Sequence, residues 1–567
     1  MEKNSFRENM GEFLDRAAGL FGRNFGFIFC FWILNGLTQV IMLANNNTGD
    51  AVWGYGFYIL LVAMLAALAS EKLFVSKAGK VFRYLLCVLS FVPFVIEGAV
   101  LYQYNALIGV GVVASLLETN PAESIEFLNT SVGPLELLYA SEIVLAAILL
   151  ARFKPWRKVL VLDDSRRVLM GMLLSLTIGY VIHMLIWFPG LMLEDPLTPG
   201  TRMIMSSSNA IKNIQAYHEL ADEVDVNIEL TRNDGRITNI VFILGEATNR
   251  NHMHLYGYDI PNTPNLDDMA YRGEICVFRD VVSPHSTTIA SLSKIFTFCN
   301  YEAELPWYKY HNFIDIMNSA GYKTHWLSNQ ESSGIWGNLA QLLADHSKVH
   351  QFTQIRDSRE DNGVVDGELF PLVDKAIYER ADDRNFYVVH LMGGHVAYYN
   401  RYPYIFTKFS KDDITVGQTI DQKKIIAQYD NALYYNDYIV SGIIDKFRET
   451  KTDTILVYLP DHGEAVYDDD GIQGHIEENP SRHMIEIPMI IWASDVFKEK
   501  HPEKWAAIQR AVNRPYMTDD MIHTLMDIAD VRTEEWEASR SLINDEFNSS
   551  RARIFDDKDY DLEIRNK

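Results

Sequence analysis

Acidic and imidazole side chains follow short apolar runs in the second half of the sequence. Glu246 comes just after the run Ile237–Leu244, and Asp461 and His462 come directly after the run Asp453–Pro460. Short runs rich in β-branched residues are typical of strands buried on both faces of a parallel sheet. The carboxyl ends of parallel strands meet at one edge of the sheet, so we expect these side chains to converge there.

Further histidines belong to the same predicted edge. The run Asn385–Met392 contains His390 and leads into His395, and His475 follows closely behind Asp461 and His462. Asp, Glu and His together suit Zn²⁺, or less specifically Mn²⁺. A three-ligand site with one open position would suit catalysis rather than structure. One such strand end alone would be read as ordinary polar capping, but three together predict a metal centre.

A cluster of hydroxyl groups offers a nucleophile. In SPHSTTIASLSKIF, Ser286, Thr287 and Thr288 precede an apolar helical pattern. The N–H groups and dipole at a helix N-terminus favour a phosphate or an alkoxide, and a metal would activate a coordinated hydroxyl. The alternative is that Ser286 or Thr287 is only an N-cap. Both can hold, since one hydroxyl can cap the helix while its neighbour reacts.

The elements that must position these groups alternate between strand and helix. A fourth run, Glu486–Ala493, and helical patterns such as Trp307–Ala320 and Tyr429–Phe447 lie among the others. This alternation predicts an α/β domain with a mostly parallel sheet over residues 237–567. Residues 191–236 are predicted to form a polar bridging segment. We expect it to begin as a linker over LEDPLTPGTR and to continue with weak helical periodicity over Ser206–Val226.

Residues 1–190 are predicted to form a membrane domain. Five apolar stretches each have the length that a helix needs to cross a hydrocarbon core of ~30 Å. Only helices satisfy their own backbone polar groups in lipid. Buried core helices are the alternative, which five such stretches in so short a region argue against. The stretches are Phe21–Ala44, Val52–Ser70, Leu85–Leu101, Leu135–Ala151 and Val168–Phe188.

Charge supports this division and gives a topology. The chain has 567 residues and a net charge of −24, with 51 Lys and Arg against 75 Asp and Glu. The negative excess falls entirely after residue 190, which argues against nucleic acid as a partner. Before that residue every Lys and Arg lies at the N-terminus, between stretches two and three, or between stretches four and five. The positive-inside rule then predicts a cytoplasmic N-terminus and an outer domain after Phe188, with the first helix as an uncleaved anchor.

Two polar features of the membrane domain are candidates for function. Glu97 and Glu142 fall within the apolar stretches, where carboxylates are costly and often functional, although both are also compatible with an interfacial position. The outer loop SLLETNPAESIEF carries Thr119 and Glu123 and could form part of a site for a lipid head group. The alternative is a solvated loop in which Thr119 or Asn120 is a helix N-cap.

Taken in order, the motifs resemble those of the phosphoethanolamine transferases. These are inner-membrane enzymes of Gram-negative bacteria with five membrane helices and an alkaline-phosphatase/sulfatase-like catalytic domain of α/β type. The resemblance covers nearly the whole chain. Besides the hydroxyl block at Ser286–Thr288, its motifs are GEATNRNHMHLYGYDIPNTPNL from Gly245, HLMGGHVAYYNRYP from His390, PDHGE from Pro460 and TDDMIHTL from Thr518.

The resemblance implies roles for single residues. Glu246, Asp461 and His462 match the zinc ligands, and Thr288 matches the nucleophile, which is also a ligand. His395 and His475 match histidines that bind substrate phosphate or a second zinc. Glu123, with Thr119 in the same loop, matches a position near the ethanolamine head group, where a carboxylate would attract the ammonium.

The reaction implied is a two-step transfer. The protein would be a multi-pass inner-membrane protein with its catalytic domain in the periplasm, and it is expected to be a monomer. Phosphoethanolamine would pass from phosphatidylethanolamine to Thr288, and then to lipopolysaccharide, on either its core or lipid A. Alternatives are a phosphoglycerol transferase, a phosphodiesterase or sulfatase of the same superfamily, and a non-catalytic membrane scaffold. A sulfatase would need Cys/Ser-x-Pro-x-Arg, which Ser283-Pro284-His285 does not provide.

The sequence departs from the family pattern at the cysteines. Many relatives have cysteines flanking the nucleophile, where this chain has Pro284 and Lys294. Only Cys276 and Cys299 are expected outside the membrane, and their spacing leaves a disulfide between them open. A basic residue that some relatives use for substrate phosphate is also missing near Asn329. The cysteine-poor pattern is closer to relatives that modify the lipopolysaccharide core.

Overall fold

The computed structural model describes residues 2–45, 49–73, 76–113, 141, 164–187, 198–221, 228–331, 339–354, 364–380, 383–417, 419–468 and 471–566. Its described residues up to 210 form one compact unit, and those from 211 onward form a second. The predicted domain boundaries at residues 190 and 236 remain a proposal.

The first unit is helical. Three of its helices contain segments long and apolar enough to cross a membrane: Asn9–Asn45, Ala51–Lys72 and Lys77–Tyr104. In the fourth helix the described stretch Val168–His183 is apolar but shorter than a full span. The predicted stretch Leu135–Ala151 lies outside the described residues apart from Ser141, so the count of five crossings remains a prediction. The helices are α1 Glu2–Asn45, α2 Gly49–Leu73, α3 Ser76–Tyr104 and α4 Asp164–Trp187.

The bridging segment contains a longer helix than the sequence suggests. Helix α5 runs over Pro199–Ala221, so the predicted linker over Leu193–Arg202 is wrong from Pro199 onward. Proline is compatible with the first position of a helix, where its missing N–H has no partner to lose. Arg202 in the first turn is buried and forms an ion pair with Glu97, which gives this turn a tertiary contact that local sequence patterns do not reveal.

The second unit is an α/β domain. Its helices are α6 Pro264–Tyr271, α7 Thr288–Ile295, α8 Phe313–Ser319, α9 Leu339–Asp345, α10 Leu369–Tyr378, α11 Ile420–Glu449, α12 Arg482–Ile485, α13 Asp495–Lys500, α14 Pro502–Ala511 and α15 Met521–Ala529. Its strands are β1 Arg232–Asn233, β2 Asn239–Gly245, β3 Ile275–Phe278, β4 Val281–Val282, β5 Lys323–Glu331, β6 Val349–Gln354, β7 Asn385–His390, β8 Thr454–Pro460, β9 Ala465–Val466, β10 Gln473–Gly474, β11 Met489–Ala493, β12 Tyr516–Met517, β13 Val531–Arg532, β14 Ile554–Phe555 and β15 Lys558–Asp559.

Seven of these strands form the central sheet, in the order β3-β11-β8-β2-β7-β5-β6. The strands from β8 to β6 are parallel, whereas β11 runs antiparallel to both β8 and β3. Residues of β2 are fully buried along its length, and they alternate between two apolar clusters. Phe242 packs into one cluster and Val241 and Ile243 into the other, as expected for a strand covered on both faces.

The register of the sheet determines which loops become neighbours. Strand β2 lies between β7 and β8, with Leu244 opposite His390 on one side and Leu459 on the other. Gly245 pairs with Pro460, so the residues that follow the two strands emerge side by side. The carboxyl ends of β2, β7 and β8 therefore bring the three predicted polar blocks to one edge of the sheet.

Candidate metal centre

Glu246 and Asp461 lie next to each other because of a tight departure from the sheet. Ala247 adopts a left-handed backbone conformation with φ 48°, and its N–H donates to Oδ1 of Asp461 at 3.3 Å. The loop after β7 packs closely against this turn. A side chain at Gly393, whose φ is 49°, would lie 2.5 Å from the carbonyl oxygen of Glu246, so only glycine fits there.

Glu246, Asp461 and His462 form a buried cluster of potential metal ligands. One ligand atom from each of these side chains lies within 4.8 Å of the others. Nε2 of His462 is 3.2 Å from Oε1 of Glu246 and 3.5 Å from Oδ2 of Asp461. All three side chains are at most 1% exposed, so their charges are shielded from water.

The backbone fixes the orientation of His462. Its Nδ1 lies 2.8 Å from the carbonyl oxygen of Gly463, to which it donates a hydrogen bond. This contact directs Nε2 towards the carboxylates and selects the tautomer that a metal requires. Gly463 itself is tightly enclosed, since a Cβ there would lie 2.3 Å from the carbonyl oxygen of His483.

The charges within this cluster are strongly coupled. Burial alone would raise the pKa of Glu246, but the hydrogen bond and charge of His462 hold it well below its usual range. Burial and the neighbouring negative charge of Glu246 raise the pKa of Asp461. The pKa of His462 is raised as well, because the attraction of Asp461 and Glu246 outweighs its burial. Asp461 and His462 therefore hold protons that a divalent cation would displace on binding.

Thr288 is the hydroxyl residue that reaches this cluster. It is the first residue of α7, and its Oγ1 lies 3.3 and 3.2 Å from the two carboxylate oxygens of Glu246. Nε2 of His462 is 3.4 Å away. Thr287 occupies the N-cap position but its side chain makes no capping hydrogen bond, and Ser286 donates instead to Glu477. Thr287 is therefore the N-cap residue, as one alternative predicted, but neither its hydroxyl nor that of Ser286 forms a capping hydrogen bond to this helix.

The two candidate substrate histidines have different environments. The imidazole rings of His475 and His462 have centroids 4.2 Å apart, and Nδ1 of His475 contacts Oε2 of Glu464 at 2.6 Å. His395 is partly buried, and its Nδ1 has no hydrogen-bond partner in the described part of the chain. Burial lowers the pKa of His395 to about 4, so its imidazole is neutral at neutral pH.

Sequence patterns missed two residues that contact the site. Gln330, at the end of β5, donates from Nε2 to Oε2 of Glu246 at 3.2 Å. Glu464 accepts from His475 and also from the hydroxyl of Tyr398, which holds its carboxylate from both sides. The PDHGE motif contains Glu464 and could have signalled it, whereas a lone glutamine carries no such signal.

The other predicted positions are the polar residues of the membrane domain and the two cysteines after it. Thr119 and Glu123 lie outside the described residues, as does Glu142. Cys276 and Cys299 are both buried free thiols, so the disulfide that the sequence left open is not formed.

The residues present fit a zinc ion. Two carboxylates and one imidazole are hard and borderline donors of the kind that bind Zn²⁺ at catalytic sites, and Thr288 lies beside them. The backbone hydrogen bond to His462 and the amide of Gln330 supply the outer contacts that usually orient such ligands.

Comparison with known proteins identifies the family. A sequence model for the family described as Sulfatase matches residues 238–531, which is just over half of the chain. The chain belongs to the sulfatase family. Within it, the phosphoethanolamine transferase EptC of Escherichia coli strain K12 is 30% identical over 316 residues, which make up 55% of this chain and 54% of the relative. The predicted resemblance to phosphoethanolamine transferases is thereby confirmed. The chain spans about half the length of the first curated relatives it matches.

Solved structures agree with this assignment. The C-terminal periplasmic domain of EptC from Escherichia coli, in complex with Zn, has a TM-score of 0.56 and 28% identity, and covers 60% of this chain and 97% of that domain. The integral membrane protein lipooligosaccharide phosphoethanolamine transferase A of Neisseria meningitidis covers 89% of this chain and 97% of its own, with a TM-score of 0.58. At 19% identity, the second likeness is one of fold alone.

Proposed function

We propose that this protein transfers phosphoethanolamine from phosphatidylethanolamine to a lipopolysaccharide acceptor, at the core or lipid A, through a covalent intermediate on Thr288. The observation that carries this proposal is the position of the Thr288 hydroxyl, within 3.4 Å of both Glu246 and His462. Similarity to named phosphoethanolamine transferases supports the transferred group. The protein acts in the bacterial inner membrane, as a monomer, with its catalytic domain in the periplasm.

In the first step Oγ of Thr288 attacks phosphorus and the bond to the diacylglycerol oxygen breaks. Glu246, hydrogen-bonded to Thr288, accepts the hydroxyl proton as the attack proceeds. Zinc held by Glu246, Asp461 and His462, with Thr288 as a further ligand, would activate the hydroxyl and offset charge on the phosphoryl oxygens. The product of this half-reaction is phosphoethanolamine esterified to Thr288.

His475 and His395 divide the remaining tasks. Glu464 accepts from Nδ1 of His475, which leaves Nε2 to give a proton to the departing diacylglycerol oxygen. His395 is neutral at neutral pH and serves to bind the phosphoryl group rather than to donate that proton. In the second step an acceptor oxygen attacks the phosphorus and loses its proton to the neutral His475. The bond between phosphorus and Thr288 breaks, and the Thr288 oxygen regains the proton held by Glu246. Thr119 and Glu123 are proposed to hold the ethanolamine ammonium.

A transfer assay tests this function. Purified full-length protein is incubated with head-group-labelled phosphatidylethanolamine or phosphatidylglycerol and with lipopolysaccharide. We expect label to reach lipopolysaccharide from phosphatidylethanolamine but not from phosphatidylglycerol. Thr288→Ala should lower the rate of transfer at least ~10³-fold. Thr287→Ala is the matched control and retains activity. Transfer from phosphatidylglycerol, release of free phosphoethanolamine without transfer, or full activity of Thr288→Ala would contradict the proposal.

A further inference from the structure

The carboxylate of Glu477 binds the two residues that lead into helix α7. Its Oε2 accepts the N–H of Ser286 at 3.0 Å and the hydroxyl of Ser286 at 3.2 Å. Its Oε1 contacts Nδ1 of His285. Three donors thus converge on one carboxylate whose side chain is only 17% exposed. A carboxylate that accepts several hydrogen bonds and is shielded from water strongly restrains the backbone to which it is bonded.

The other end of the same loop is attached to the metal centre. Oγ of Ser283 lies 2.6 Å from the carbonyl oxygen of Asp461 and 2.6 Å from that of His285. Ser291, one turn into α7, is 3.1 Å from the same hydroxyl. The loop from Ser283 to Thr287 is therefore held to the strand-end loop at its start and to Glu477 at its end. Thr288 is the next residue.

These contacts do not serve helix capping. Thr287 occupies the N-cap position without a side-chain hydrogen bond to the helix, and the hydroxyl of Ser286 points to Glu477 instead. Capping would stabilise α7 through its own free N–H groups, whereas Glu477 binds the backbone before the helix begins. The contact therefore determines where the first residue of the helix lies.

We propose that Glu477 is a positioning residue for the nucleophile Thr288, an inference that rests on the proposed function. Its two oxygens are occupied by His285 and Ser286, so it acts on the reaction through the backbone rather than by touching substrate. Attack on phosphorus requires the hydroxyl oxygen to be aligned with the leaving oxygen, and a displacement of about 1 Å costs roughly 10²-fold in rate. Because Glu477 follows His475 by two residues, one short segment positions both the nucleophile and the proton donor.

Kinetics of the first half-reaction test this role in full-length, zinc-loaded protein. We expect Glu477→Ala to slow labelling of Thr288 by phosphatidylethanolamine about 10²-fold, with KM for the lipid and the bound zinc unchanged. Glu477→Gln keeps an oxygen that accepts from Ser286 and should restore part of the rate. Glu499→Ala, at an exposed site in α13, is the matched control and should match wild type. A rate for Glu477→Ala within twofold of wild type, or a loss that follows loss of zinc, would overturn the proposal.

Amide hydrogen exchange gives a readout that does not depend on activity. We expect faster exchange at residues 285–288 in Glu477→Ala than in wild type or Glu499→Ala, with protection of strand β2 unchanged. Unchanged exchange in that loop would overturn the positioning role even if activity fell. If wild type forms no adduct at Thr288, the proposed function fails, whereas the exchange result still decides whether Glu477 fixes this loop.

Discussion

At the residue scale, Gln330 is the outer contact that orients a candidate zinc ligand. Its amide donates to Oε2 of Glu246, which leaves Oε1 facing His462. We expect Gln330→Ala to weaken zinc binding by roughly 10- to 100-fold, the usual cost of removing such a contact. Competition with a chromogenic zinc chelator measures this directly.

Gln351 on the neighbouring edge strand β6 provides the control for that experiment. Gln351→Ala removes an amide of the same size, one strand away, and should leave zinc affinity unchanged. Equal affinity in Gln330→Ala and wild type would show that Glu246 needs no support from this amide.

Position along the sequence explains which site residues could be predicted. Glu246, Asp461 and His462 follow strands directly, so the rule for parallel strand ends brings them together from sequence alone. Gln330 and Glu477 lie 84 and 191 residues from the partners they contact, and neither stands in a recognisable motif. Their roles arise only from tertiary placement.

At the scale of elements, a buried ion pair anchors the hairpin of β9 and β10 that leads to His475. Nε2 of His252 is 2.8 Å from Oδ1 of Asp468, and Nδ1 is 3.1 Å from Oδ1 of Asp430. Oδ2 of Asp468 accepts the N–H of Val466 in β9. Burial alone would lower the pKa of His252, but the two carboxylates raise it to about 10.

This pKa predicts how stability depends on pH. A histidine whose folded pKa lies above its unfolded value of about 6.5 stabilises the fold fully below pH 6.5 and loses that effect as pH rises towards 10. His252→Gln should therefore lower the melting temperature much more at pH 6 than at pH 9.5. Differential scanning calorimetry at both values measures this.

His311→Gln is the control for the pH experiment, because His311 is exposed on a loop. It should change the melting temperature little at either pH. A destabilisation by His252→Gln that is equal at pH 6 and pH 9.5 would contradict a charged imidazole between Asp430 and Asp468.

The predicted strands were recovered with shifted ends, whereas the helix predicted over Trp307–Ala320 is a 3₁₀ turn at Trp307–Lys309 followed by a short helix at Phe313–Ser319. The run Asp453–Pro460 became β8 Thr454–Pro460, whereas Glu486–Ala493 became the shorter strand Met489–Ala493. Helix α11 extends well beyond Tyr429–Phe447, because a capping box at Thr419 starts it earlier. The linker prediction was wrong where Arg202 is buried, since a long-range ion pair leaves no periodic signal.

At the scale of the whole molecule, a buried charge pair lies within the first unit, the described residues up to 210, which is called the membrane unit below. Glu97 in α3 is fully buried and receives two hydrogen bonds of 2.6 Å from Arg202 in α5. Thr38 in α1 also donates to Glu97, and Gln39 accepts from Arg202. Glu97, singled out from sequence as a possible functional carboxylate, thus joins three helices of this unit.

Breaking this pair should strongly destabilise the membrane unit. Arg202→Met leaves the Glu97 carboxylate buried without its partner, which typically costs about 3–5 kcal/mol. We expect the double variant Glu97→Gln/Arg202→Met to lose less than the sum of the two single changes. Thermal unfolding in detergent gives the three values.

Glu12→Gln is the comparison, because its ion pair with Arg16 is largely exposed and should contribute at most about 1 kcal/mol. Additive costs at Glu97 and Arg202 would show that the pair is not energetically coupled.

Charge and hydropathy both change abruptly near residue 190, which predicts two parts, and the structure divides the described residues into two compact units at residue 210. The count of five crossings remains a prediction, because much of residues 114–163 lies outside the described part of the chain. Among the described residues, three segments have the length of a span, and Val168–His183 of α4 is apolar but shorter. The excess of acidic residues falls after residue 190, and it is compatible with helices of membrane-spanning length before that residue.

The most direct measurement is peptide mass spectrometry of the zinc-loaded, full-length protein, quenched after incubation with phosphatidylethanolamine and no acceptor. The predicted result is a single phosphoethanolamine adduct on Thr288 that disappears when lipopolysaccharide is added. An adduct on another residue, or efficient transfer to lipopolysaccharide with Thr288 never modified, would contradict a mechanism built on this hydroxyl.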